Sequence, residues 1–148
     1  MGFIDENLMQ GESVIYRTKL HWIEFLFPAL VLIVGFLSLA YPDKSVAKFF
    51  IIIAIILVIR SLVIYLTSEF GITNKRVLIK TGFLNRQSHE ILLNKTEAIE
   101  VSQSVLGRSL DYGTITIKGT GGSKDPFSGI VSPLEFRKQA QEQIAKTE

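Results

Sequence analysis

His21 and His89 are the two imidazoles of this chain, and imidazole is the side chain best suited to carry protons or bind a metal near neutral pH. They lie far apart in sequence, and neither belongs to a histidine–carboxylate motif with metal-ligand spacing. Cysteine is absent, which removes disulfides, thiolate zinc sites, iron–sulfur clusters and cysteine nucleophiles while leaving the redox compartment open. No G-x-S-x-G elbow occurs to expose a serine nucleophile. Gly119-Thr120-Gly121-Gly122-Ser123-Lys124 invites a phosphate-loop reading but has Lys124 where a dinucleotide fingerprint needs its third glycine, and it lacks the Walker spacing. It reads as an inter-strand loop, with a ligand-gripping role for its amides beside Lys118 and Lys124 as the alternative. We expect no catalytic residue, no metal and no cofactor. The polar feature that stands out is an alternation, Arg17, Lys19 and His21, which in an extended segment would point to one side just before a long apolar run.

That run requires its own explanation. Trp22 to Tyr41 carries one charge, Glu24, and Phe49 to Leu66 carries one, Arg60. At about 1.5 Å per residue each stretch is long enough as a helix to cross roughly 30 Å of hydrocarbon. Neither has the polar stripe of a surface helix. The remaining residues are too few to cover two wholly apolar helices in a soluble fold, and Asp5, Glu6 and Glu12 make a poor leader for a secretory signal. We expect a two-helix membrane hairpin over 22–66, with spans 22–41 and 49–66 joined by the loop Pro42–Lys48. Trp22, Tyr41 and Tyr65 suit the headgroup belt, and Arg60 is near enough to the span end to snorkel, or to pair with Glu24 or a neighbouring subunit. Arg17, Lys19, Lys75, Arg76, Lys80 and Arg86 outnumber Lys44 and Lys48 of the loop, so the positive-inside rule puts both termini in the cytoplasm.

The third segment, 67–148, has a different texture from the hairpin. Glycine becomes frequent and apolar residues alternate, as in Ile115 and Ile117, Val77 and Ile79, Ile99 and Val101. Asn74-Lys75 reads as a hairpin turn, and Gly82, Asn85, Asn94-Lys95, Gly107 and Asp111-Tyr112-Gly113 punctuate the rest. Five or six short strands are expected between 68 and 131. Ser132-Pro133-Leu134-Glu135 has the form of a capping box opening a last helix, with Phe136, Ala140 and Ile144 as its apolar stripe. Mean hydropathy of +0.32 and 20% charged residues exclude a disordered chain, and a net charge of +2 gives no argument for a nucleic-acid partner.

Meandering strands and one closing helix form the layout of a pleckstrin-homology (PH) fold. Ile72-Thr73-Asn74-Lys75-Arg76-Val77, Val105-Leu106-Gly107-Arg108-Ser109-Leu110-Asp111-Tyr112-Gly113, Gly119-Thr120-Gly121-Gly122 with Pro126-Phe127, and Pro133-Leu134-Glu135-Phe136 together resemble the bacterial PH-domain-like membrane family, in order over nearly the whole chain. Members commonly have a helical hairpin ahead of the domain, with a lead-in similar to Leu20-His21-Trp22. The resemblance implies a membrane hairpin plus a small α+β domain, a PH-like curved antiparallel barrel with a C-terminal capping helix, held at the cytoplasmic face of the bacterial inner membrane. It implies no activity, and the spaced basic cluster of phosphoinositide-binding PH domains is not found. The resulting expectation is a membrane-anchored scaffold or adaptor, with the lipid bilayer and either another copy or a membrane protein as partners. Headgroup recognition is the alternative; Arg17, Lys19, His21, Trp22, Arg60, Lys75, Arg76 and Lys80 are the candidate contacts, and basic groups near an anionic surface contribute about 1 kcal/mol each. A subunit of a membrane enzyme or transporter is the third reading.

Overall fold

A computed structural model describes residues 2–82 and 87–147. The chain divides into two compact units, Trp22–Leu66 and the combination of Met1–His21 with Thr67–Glu148. Residues 1–21, which by sequence form an N-terminal segment ahead of the hairpin, lie in the same compact unit as 67–148.

The sheet-bearing unit starts with a one-turn helix α1 (Phe3–Glu6) and a strand β1 (Val14–Thr18), both ahead of the apolar run. Beyond that run follow β2 (Glu69–Thr73), β3 (Arg76–Thr81), β4 (Gln87–Leu92), β5 (Thr96–Ser102), a short helix α4 (Val105–Leu110), β6 (Tyr112–Gly119), β7 (Lys124–Val131) and the helix α5 (Pro133–Thr147). Two antiparallel sheets result, β1-β2-β3-β4 and β5-β6-β7. They join where Leu20 bridges Ile130, the His21 amide donates to the Gly129 carbonyl at 2.7 Å and the Val131 amide to the Lys19 carbonyl at 3.0 Å. Six strands occupy the expected region, and Asn74-Lys75 forms the turn between β2 and β3. Asn85 and Arg86, used above as a turn residue and a flanking cation, lie outside the described residues.

The β6 alternation is real: Gly113, Ile115, Ile117 and Gly119 are buried and the residues between them half-buried. In β3 the alternation fails, because Val77, Leu78 and Ile79 are all buried. Leu78 is the cross-strand partner of Gly71, and Ile4 of α1 sits against Gly71, so this strand is covered on both faces. In α5, Phe136 and Ala140 are fully buried and Ile144 half-buried; burying the Phe136 ring contributes about 1.5–3 kcal/mol. The capping box is not made. Ser132 has φ of 49°, its hydroxyl donates to the Asp111 carboxylate, and Glu135 accepts from the Gln139 side chain at 2.7 Å.

In the other unit, α2 (Leu26–Leu37) is extended by 3-10 turns at Trp22–Phe25 and Ser38–Ala40, and α3 runs from Lys44 to Thr67. The second helix therefore begins before residue 49, and the connection shrinks to residues 41–43. Asp43 explains the difference, since its carboxylate accepts the Ser45 amide at 2.9 Å and caps the helix start. Segments Trp22–Ala40 and Lys44–Thr67 are long and apolar enough to cross a membrane, and only 11% of each is buried. Their buried residues are small, Gly35 on one helix and Ala47, Ala54 and Ser61 on the other, together with Pro28. A Cβ on Gly35 would stand 3.2 Å from the Ile51 backbone nitrogen, so close helix approach depends on that glycine. The large side chains turn outward, Phe27 65% exposed and Phe49 60%.

Candidate functional site

The eight residues singled out by sequence do not form one cluster. Arg76 is 4% exposed. Its Nε donates to Glu12 Oε1 at 3.0 Å and its Nη2 to Glu12 Oε2 at 3.1 Å, with further bonds to Glu90 and to the Asn7 carbonyl. The Thr73 hydroxyl donates to the same Glu12 carboxylate at 2.6 Å and the Met9 amide at 2.8 Å. Burial alone would raise the Glu12 pKa, but hydrogen bonds from Arg76, Thr73 and Met9, with the Arg76 charge, outweigh it and hold the carboxyl at about 2. Arg76 is thus corrected from a headgroup contact to half of a buried ion pair.

Three more of these candidate cations, Arg17, Lys75 and Lys80, are also engaged by the first residues of the chain. Arg17 makes a bidentate pair with Asp5, whose carboxyl is held below its ordinary range chiefly by that hydrogen bond. Lys75 Nζ donates to the Gln10 carbonyl at 2.9 Å, and Lys80 Nζ lies 5.2 Å from the centre of the Phe3 ring. Glu69 holds the segment from the other side, accepting the Phe3 amide at 2.9 Å and the Ile4 amide at 3.2 Å. Lys19 is exposed and in no ion pair among the described residues.

His21 does not share the outward side of Arg17 and Lys19. It is 7% exposed, with its ring stacked on Tyr112 at 5.0 Å between centroids, because the chain turns inward at Leu20 to pair with β7. Trp22 is 54% exposed. Arg60 is exposed on α3, and no ion pair joins it to Glu24 among the described residues; the Glu24 carbonyl accepts from Ser61 instead, at 3.3 Å.

The glycine-rich segment is a tight turn between β6 and β7. Three of its amides are used within the fold: Gly119 donates to Ser123 at 3.2 Å, Thr120 to Lys95 at 2.9 Å and Gly122 to Gly119 at 3.0 Å. The ligand-gripping alternative therefore loses these three donors. The turn does wall an open groove of about 340 Å³ beside β4, lined by His89, Ile91, Lys95, Thr120, Ser123 and Asp125 among others. His89 stands 4.0 Å from Asp125 and packs edge-on against Phe127. The outer edge of β4 has no paired strand among the described residues, so its backbone groups and the groove lie side by side. No group of three metal-ligating side chains occurs among the described residues.

The acids that engage the basic residues, Asp5, Glu12 and Glu90, were not foreseen. Glu12 and Arg76 are 64 positions apart, and no local pattern links them. No curated protein and no solved structure matches the chain significantly. Residues 27–146 match the family described as bacterial PH domain, a match that starts beyond β1. With the two-sheet barrel and its closing helix, that extent of agreement means that the chain belongs to the bacterial PH domain family.

Proposed function

We propose that the protein is a membrane-anchored, non-catalytic scaffold or adaptor. Its two apolar helices cross the bacterial inner membrane as a hairpin, both termini stay in the cytoplasm, and the barrel offers an edge to a protein partner. The observation that carries this reading is the insertion point. The chain leaves β1 at Thr18 and returns at Phe70, its cross-strand partner, with only Ser68 between α3 and β2. The barrel is thus joined to its anchor at both ends of the insertion, by short connections. Outward-facing large side chains over small buried ones in the hairpin further support a lipid surrounding, and the excess of basic residues on the terminal flanks supports the orientation.

The docking edge is β4. Among the described residues it pairs only with β3, and an extended segment of a partner would complete its hydrogen bonds while placing side chains in the adjoining groove. Headgroup recognition by the basic set has less support, because Arg17, Lys75, Arg76 and Lys80 are already engaged within the domain. The test is a photo-cross-linker at Ser88 or Leu92 in native membranes. A cross-link to a protein, or to a second copy, is the expected result; cross-links to lipid alone would overturn the adaptor reading. Labelling single cysteines at Pro42 and Ser123 from each side of the membrane checks orientation, with Ser123 expected on the cytoplasmic side. Substrate-dependent turnover by the purified chain would overturn the non-catalytic part.

A further inference from the structure

The helix α4 is built inside out. Its small residue, Gly107, faces the barrel, where an added Cβ would come within 2.6 Å of the Tyr112 carbonyl oxygen. Its large apolar residues face away: Val105 is 82% exposed, Leu106 61% and Leu110 38%. The orientation is fixed locally, because the Ser104 hydroxyl accepts the Gly107 amide at 3.0 Å, the Gln103 side chain donates to the Gly107 and Tyr112 carbonyls, and Asp111 closes the helix in the left-handed conformation. A water-facing domain rarely gathers aliphatic side chains on such a firmly held projection.

Its place in the domain indicates what covers it. Tyr112 follows α4 directly, stacks on His21, and pairs with Val131, which pairs with Lys19. The end of the helix thus lies close to His21, the last residue of this unit before the apolar segment. Arg108 on the helix itself is in no ion pair among the described residues. Apolar side chains beside an unpaired cation complement the acyl boundary and anionic headgroups of a bilayer. The acidic neighbour, Asp111, is occupied by the Ser132 hydroxyl.

We propose that α4 is a bilayer-docking element, inserting Val105, Leu106 and Leu110 at the acyl boundary with Arg108 among the headgroups, and so setting the orientation of the barrel on the membrane. This rests on the anchoring proposed above and adds a second, peripheral contact to it.

The cysteine-free sequence allows a direct test on the full chain in vesicles of phosphatidylethanolamine and phosphatidylglycerol. A fluorophore is placed at Leu106→Cys, and a reference at Ser123→Cys, beyond the opposite end of β6. Both positions are exposed, so neither substitution disturbs the fold. Nitroxide-labelled lipid is expected to quench the 106 label several-fold more than the 123 label, and aqueous iodide to show the reverse order. A 106 label as open to iodide as the 123 label, in a chain that stays in the membrane through alkaline carbonate, would overturn α4 docking alone. A 106 label shielded from both quenchers would also overturn it, showing that a protein surface covers the helix. Release of the chain by carbonate would overturn the anchoring and the docking together.

Discussion

Arg76 shows that a basic residue at the start of a strand can be internal when a distant acid is folded over it. Glu12 supplies that acid, and the pair is desolvated: the Arg76 side chain is 4% exposed and that of Glu12 is fully buried. Removing one member of such a pair leaves an uncompensated charge, which costs about 3–5 kcal/mol. The Glu12 carboxyl is lowered from 4.5 to about 2, equivalent to roughly 3 kcal/mol. Because the folded-state pKa is the lower one, this stability is fully present above pH 4.5 and is lost as pH falls toward 2. Glu12→Gln should therefore destabilise the sheet-bearing unit at pH 7, and its deficit against the natural sequence should shrink through that window. Thermal unfolding in detergent at a series of pH values checks this; a deficit that stays constant down to pH 2 would contradict it.

Among the elements, α1 and the paired long helices depend on glycines for close approach. An added Cβ on Gly71 would stand 2.6 Å from Ile4 Cδ1. Gly71→Ala should push Ile4 off β2 at a cost of about 1–3 kcal/mol, and speed amide exchange at Phe3 and Ile4, whose N–H groups donate to Glu69. Unchanged protection at those two amides would show that α1 is held otherwise. Between α2 and α3, Gly35→Val meets backbone at Ile51 as well as its side chain. It should lower the unfolding midpoint of the hairpin by several degrees, an effect of about 1–3 kcal/mol, measured by circular dichroism in detergent.

For the whole molecule, the decisive feature is that the barrel is assembled from both sides of the apolar insertion. Residues 67–148 alone lack β1, Leu20 and Glu12, and should remain largely unfolded. Joining 1–21 to 67–148 through a short flexible linker should restore a folded domain in plain buffer, because Thr18 and Phe70 are already cross-strand partners. Dispersed amide resonances in the joined chain, and their absence in 67–148, are the expected outcome; a folded 67–148 would show that β1 is dispensable. The sequence by itself determined what local periodicity and composition encode: two apolar helices, the β2–β3 turn, the β6 alternation and the final helix. Each is settled within a few residues, by hydrophobic spacing or turn chemistry. The alternation at 17–21 allowed an extended segment that pairs with an edge of the barrel but did not name its partner strand, and two further features, the burial of Arg76 and His21 and the outward face of α4, had no local signature. They depend on partners tens of residues away, Thr73 and Phe70 for β1, Glu12 for Arg76, Tyr112 for His21. Burial is a property of what packs over a side chain, so only the tertiary structure could decide it.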